Sequence, residues 1–250
     1  MNSKEQYPFI FQNDFLLGFE VEACFKERKI TILVLKRRLL KICSGIIFSD
    51  DGSIRPRNGC DFSAEIKTPP LKAVEACVVL DKVLSLVKEF GYTNSSTGFH
   101  VNLSPVSNEV YKKINPFFLA RHRLFAKIAK KFKREKNDYC KPSSPAAFKF
   151  KQKTALKLWE YIRSNRYMHV QERATDYFFS GNSSTAFGEK SVAINLNNLT
   201  PIRNATSRIE IRAMGNRNYH LRLPEIFYYI DQTIKVIKES TTVNLGEVFA

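Results

Sequence analysis

Leu17-Gly18-Phe19-Glu20-Val21-Glu22 alternates between apolar and acidic residues, and that alternation decides the fold class. Side chains at i and i+2 of a strand share a face, roughly 6.6–6.8 Å apart. Leu17, Phe19 and Val21 therefore form an apolar face, and Glu20 and Glu22 share the other. Four more segments carry the same signal. Glu65 and Lys67 oppose Ala64 and Ile66. His100 and Asn102 stand against Phe99, Val101 and Leu103. Val192, Ile194 and Leu196 leave Ala193, Asn195 and Asn197 on a second face. Arg208, Glu210 and Arg212 alternate with Ile209 and Ile211.

Outward from these strands the chain reads as strands, then helices, then strands again. Ile30–Leu35 and Gly45–Phe48 are expected strands, followed by a turn at Ser49-Asp50-Asp51-Gly52-Ser53. Pro69-Pro70 opens a helix in which Val74, Cys77, Leu80, Leu84 and Val87 recur at helical spacing until Gly91. Pro116–Lys136 carries Phe117, Ala120, Leu124, Ile128 and Phe132 along one side, and Lys153–Asn165 reads as a further helix. A last helix presents Phe227, Ile230, Ile234 and Ile237. This order predicts an α+β fold with an antiparallel sheet, not a βαβ repeat.

A chain of 250 residues, 44% of them hydrophobic, can bury a substantial core without staples. We expect one domain over 1–250 with a basic helical elaboration at about 106–188. Asn137–Ala147 is the nearest thing to a linker. No apolar run approaches the roughly 20 residues of a membrane span, and the N-terminus has no apolar signal core. Five cysteines, an odd number with no CxxC pair, fit reduced thiols in a cytoplasmic protein. Cys24 and Cys77 read as buried small apolar residues. Neither GxxxxGK[ST] nor GxGxxG occurs, which excludes nucleotide binding by those routes.

The net charge of +16 is concentrated: Lys112–Lys157 holds fifteen basic residues against two acidic ones. A solvated helix face and attraction of a polyanion (nucleic acid, an acidic protein or a carboxylate-rich substrate) are both open readings. Phe117, Phe118, Phe125, Phe132, Tyr139, Phe148 and Phe150 are interleaved there and would permit base stacking. Phe117 and Phe132, however, fall on the apolar stripe, which favours packing.

Any one alternating strand alone is best read as half-buried with a solvated outer face. The set argues otherwise, because a +16 protein solvating its strands would use Lys and Thr, not Glu-x-Glu, His-x-Asn and Glu-x-Arg. If the strands are neighbours, Glu20, Glu22, Glu65 and Glu210 converge with His100. Two like charges about 5 Å apart repel by roughly 3 kcal/mol at an effective dielectric near 20. A cation must offset such a cluster, and hard divalent ions with oxygen ligands suit it.

The series Gly18-Phe19-Glu20-Val21-Glu22, Asp51-Gly52-Ser53, Glu65-Ile66-Lys67-Thr68-Pro69-Pro70-Leu71, Gly98-Phe99-His100-Val101-Asn102 and Ile209-Glu210-Ile211-Arg212 resembles the amidoligases. These are carboxylate–amine ligases with the fold of the glutamine synthetase catalytic domain. The resemblance runs from about residue 16 to about 239. Its middle matches only through Arg134 and Tyr139-Cys140-Lys141-Pro142. It implies a curved antiparallel sheet with helices on one face, holding ATP and two or three Mg²⁺ or Mn²⁺ ions. Glu20, Glu22, Glu65, His100 and Glu210 would then be metal ligands, and Arg212 would contact the transferring phosphoryl group. Asn102, Lys190, Asn195 and Arg208 join His100 and Arg212 as candidate nucleotide contacts. Glu65 and Asp51 join Arg212 as candidate catalytic groups, although Asp51 is by default a turn former.

The implied activity is ATP-dependent formation of an amide or isopeptide bond between a carboxylate and an amine, peptides or proteins included. Asn137–Phe150 and Ser180–Gly188 are candidate covers for such a site. A non-catalytic basic nucleic-acid-binding module and a guanidino-type phosphotransferase on the same fold are the alternatives. The chain lacks the small N-terminal domain of full glutamine synthetases, so the amine pocket and the oligomeric state stay open. His122, His169, His220 and Trp159 read as surface or packing residues.

Overall fold

β1 (Phe15–Phe25) is the strand around which the sheet is assembled. The computed structural model describes residues 3–11, 15–26, 28–59, 61–106, 110, 113–115, 118–119, 122–137, 193–196 and 207–243. The other described strands are β2 (Ile47–Asp50), β3 (Phe62–Lys67), β4 (Gly91–Tyr92), β5 (Gly98–Pro105), β6 (Ile194–Asn195) and β7 (Ile209–Gly215). They form one open sheet in the order β2-β3-β1-β5-β7-β6, with β4 pairing the end of β1. Every pairing is antiparallel. The fold is α+β, as the alternation predicts.

Leu17, Phe19, Val21 and Ala23 of β1 join Ala64, Ile66, Phe99, Val101, Leu103, Ile209 and Ile211 in one buried apolar layer. Helices α4 (Ala73–Phe90), α5 (Arg123–Lys131) and α6 (Leu223–Ser240) contribute to the same core. Burying each Leu, Ile, Val or Phe there contributes about 1.5–3 kcal/mol. In α4 the buried stripe is Ala76, Val79, Leu80, Val83, Leu84, Leu86 and Val87. Val74 lies off that stripe and is exposed, and Cys77 is half-buried. On α6, Ile226, Ile230, Ile234 and Ile237 face inward. The short helices α1 (Ser3–Gln6) and α2 (Pro8–Phe11) precede β1, and α2 packs on α6. There Asp231 Oδ1 accepts the Ile10 backbone N–H at 3.0 Å.

One expected strand is a helix. Ile30–Leu35 falls within α3 (Arg28–Ile42). Its β-branched residues favour strands only weakly, because β-propensity is mostly a matter of what the side chains pack against. Leu35 and Leu39 are buried one turn apart, with Ile32 and Ile42 packed beside them, while Leu33 and Leu40 are exposed. That is a helical stripe, and it packs on α4. The expected helix over Pro116–Lys136 is found only in part: α5 spans Arg123–Lys131, because His122 is extended and caps its start while Phe132 caps its end. Phe125 and Phe132 are both buried there, which removes them as base-stacking surface. The expected helix Lys153–Asn165, residues Tyr139, Phe148, Phe150, Trp159, His169 and Lys190, both candidate covers and most of the basic segment lie outside the described residues. No described helix is long and apolar enough to cross a membrane.

Candidate metal centre

Register, rather than proximity in sequence, assembles the site. Paired residues of an antiparallel sheet point to the same face. Glu20 stands opposite Lys67 of β3 on one side and His100 of β5 on the other. Glu22 stands opposite Glu65, and Asn102 lies between Gly18 and Glu210. Asn195 of β6 faces Glu210 from the far side. These residues stand on the face opposite the apolar layer. A slip of one residue in any pairing would turn its polar row into the core. Between β5 and β7 the register shifts: Phe99 pairs with Met214 but Val101 with Ile211. The extra residue of β7 lies beside His100, a common use of a β-bulge at a site.

His100 is the hub. Its ring is 2% exposed, with Nδ1 3.2 Å from Glu20 Oε2 and 3.5 Å from Glu210 Oε1. Its Nε2 is 3.6 Å from Glu22 Oε1 and has no hydrogen-bond partner among the described residues. Gly98 permits this packing, since a Cβ there would lie 2.8 Å from Nε2 and 3.0 Å from Glu22 Oε1. The Gly98 N–H in turn donates to Glu22 Oε2 at 2.5 Å.

The other carboxylates are held as firmly. Asn102 Nδ2 donates to Glu20 Oε1 at 2.9 Å, and Asn195 Nδ2 to Glu210 Oε2 at 2.8 Å. Arg212 Nη1 donates to Glu210 Oε1 at 2.5 Å, and Lys67 Nζ lies 2.7 Å from Glu65 Oε2. Lys67 thus balances site charge while its side chain stays 44% exposed.

Two carboxylates respond oppositely to this crowding. Burial opposes ionisation of Glu20, but the hydrogen bond and charge of His100, with help from Asn102 and Glu65, hold it well below the usual carboxylate range. Burial pushes Glu65 up; Lys67 pulls it down, but the neighbouring Glu20 adds to the rise. Burial and crowding thus favour the charged form of Glu20 and oppose that of Glu65.

Two groups have ligand atoms within 4.8 Å of one another: Glu20, His100 and Glu210, and Glu22, Glu65 and His100. The donor set fits divalent cations: hard carboxylate oxygens, one imidazole, and a buried Nε2 lacking a partner. Of the sequence candidates, Glu20, Glu22, Glu65, His100, Asn102, Asn195, Glu210 and Arg212 are brought together. Arg208 immediately precedes β7, half-buried. Asp51 is not in either group; its Oδ1 accepts from Ser53 N at 2.8 Å and Ser53 Oγ at 2.6 Å, the expected turn role. A cleft of about 680 Å³ opens from Glu22, His100 and Arg212, with Arg134 in its wall. The family resemblance runs through Arg134 without giving it a role, and its burial in this wall is what marks it as a site residue. The three described cysteines are free thiols, Cys24 buried among them.

An open antiparallel sheet carrying a carboxylate–histidine cluster on its polar face defines a metal-capable catalytic scaffold. The family model described as "Putative amidoligase enzyme" matches residues 18–215, from the Glu-x-Glu strand to the end of the Glu-x-Arg strand. The chain belongs to this amidoligase family, and at that coarse level it is a ligase. Neither the curated proteins nor the solved structures gave a match.

Proposed function

We propose that the protein is an ATP-dependent carboxylate–amine ligase whose metal-loaded sheet activates the carboxylate as an acyl phosphate. The observation that carries this reading is the gathering of four carboxylates around a single buried histidine, beside an arginine, on one face of the sheet. A site built only to bind would gain nothing from such repulsion. Glu20, Glu22, Glu65, His100 and Glu210 would hold two or three Mg²⁺ or Mn²⁺ ions. Bound ions would supply charge neutralisation for phosphate oxygens.

The chemistry balances in two displacements. A substrate carboxylate oxygen bonds to the γ-phosphorus of ATP and the bond to the β–γ bridging oxygen breaks, releasing ADP. The amine, its ammonium proton already lost to water, bonds through nitrogen to the acyl carbon. Inorganic phosphate leaves, and one further N–H proton passes to the departing phosphate or to water, which leaves the amide. Arg212 stays charged and offers a planar fork to a phosphoryl group, and its contact with Glu210 fixes where that fork sits. Asn102 and Asn195 orient the Glu20 and Glu210 carboxylates, leaving each with lone pairs to spare. Contact of the Lys112–Lys157 segment with a polyanionic partner is a separate proposal, supported by the exposed Arg123, Lys127, Lys130 and Lys131 of α5.

The test uses Glu65→Gln, because the fold already favours an uncharged carboxyl at that position. Wild type with ATP, Mg²⁺ and pooled carboxylates and amines should give a product one water lighter than its reactants, found by mass spectrometry. Glu65→Gln should lower amine-dependent ADP release at least about 100-fold without lowering the melting temperature in chelator. Wild type that releases no ADP with any amine would refute the proposal.

A further inference from the structure

The cleft beside the cluster is cationic, and Arg134, the buried cation in its wall, has no ion-pair partner among the described residues. Arg134 is 3% exposed. Its Nη1 donates to the Thr97 carbonyl at 2.7 Å, its Nε has no hydrogen-bond partner, and no carboxylate pairs with it among the described residues. A buried guanidinium without an anion is costly, yet the chain holds it in place. Lys133 takes the left-handed conformation (φ 55°) at the end of α5, and the Arg134 N–H bonds back to the Ala129 carbonyl at 2.7 Å. Asn216 Nδ2 grips the Phe132 and Lys133 carbonyls at 2.9 and 2.8 Å. Gly215 (φ +130°) makes room, since a Cβ there would sit 2.7 Å from Arg134 Nη1.

The mouth repeats the sign. Arg55, Arg57, Lys136 and Arg217 line it, exposed, and none is ion-paired among the described residues. Glu22 is the one acidic side chain among the described lining residues. The remaining described lining side chains are serines, asparagines, Arg212 and His100, which offer hydrogen-bond partners to a peptide backbone. A volume of about 680 Å³ suits a peptide of a few residues.

We infer that this cleft takes an acidic peptide substrate, with Arg134 receiving a carboxylate other than the one activated at the cluster. The inference rests on the ligase reading and adds the substrate class.

Calorimetric titration of the full chain in metal-free, nucleotide-free buffer separates the two. N-acetyl-Glu-Glu should bind and N-acetyl-Ala-Ala should not. Arg134→Gln should weaken N-acetyl-Glu-Glu at least about tenfold. Because Arg134 also ties down Thr97, the exposed pair Arg55→Gln/Arg217→Gln serves as the fold-neutral variant. It should weaken binding about threefold and flatten its salt dependence. Equal affinity for the two peptides, no measurable binding of N-acetyl-Glu-Glu, or variants that bind it like wild type would overturn the inference. So would displacement of the peptide by inorganic phosphate or ATP at equal or lower concentration, which would mark a phosphate pocket. Intact peptide binding without ADP release would instead fail the ligase reading alone.

Discussion

Glu20 and Glu65 share a face, and their linkage to stability has opposite signs. Glu20, with its pKa lowered in the fold, stabilises the fold above the ordinary carboxylate range, and that contribution is lost as pH falls. Glu65, raised chiefly by burial, stabilises it below that range, and its contribution is lost as pH rises through the raised value. In chelator, wild type should therefore lose melting temperature from weakly acidic to neutral pH, relative to Glu65→Gln. A parallel pH series of thermal melts measures this, and identical slopes would contradict it. A metal held by Glu65 favours its ionised form against burial, so titrating Mn²⁺ in buffers of different ionisation enthalpy should give heats that differ by any proton released. At Arg212 the fork matters as well as the charge. Arg212→Lys should lose about 1–3 kcal/mol of transition-state stabilisation, read as kcat/KM.

Among the elements, α6 shows how a titratable group can be structural. Asp231 is buried against α2, and burial raises its pKa despite the Ile10 and Phe9 N–H groups that favour its charge. Asp231→Asn keeps an acceptor oxygen and drops the buried charge, so its melting temperature at neutral pH should equal or exceed that of wild type. Asp231→Ala leaves the Ile10 N–H unsatisfied and should cost about 1–3 kcal/mol in denaturant unfolding. α3 marks where the reading of elements failed. A six-residue run with four β-branched residues fits a strand or a helix equally, and which face finds a partner decides the matter. Here α4 supplies the partner, and Leu35 and Leu39 take the contact. By contrast, β1, β3, β5 and β7 were legible because each carries a stretch in which apolar and polar residues alternate, Leu17–Glu22 in β1 and Ile209–Arg212 in β7 among them.

At the scale of the whole molecule, the polar face brings four acidic side chains close together, so cations that bind the folded state alone should raise its stability by mass action. Mg²⁺ or Mn²⁺ at about 100 times Kd should add about 2.7 kcal/mol, measured as a shift of the unfolding midpoint that chelator reverses. Glu65→Gln should blunt that shift. The sequence by itself determined β1, β3, β5 and β7 and which face of each carried Glu20, Glu22, Glu65, His100 and Glu210, because alternation is a local property of side chains on an extended backbone. It also determined the family, through five short motifs in order. Only tertiary structure decided that these rows are neighbours in one register, that His100 Nε2 is left without a partner, and that Arg134 is buried beside them. Those facts depend on strand pairing and chain reversal across up to two hundred residues, which no local pattern encodes.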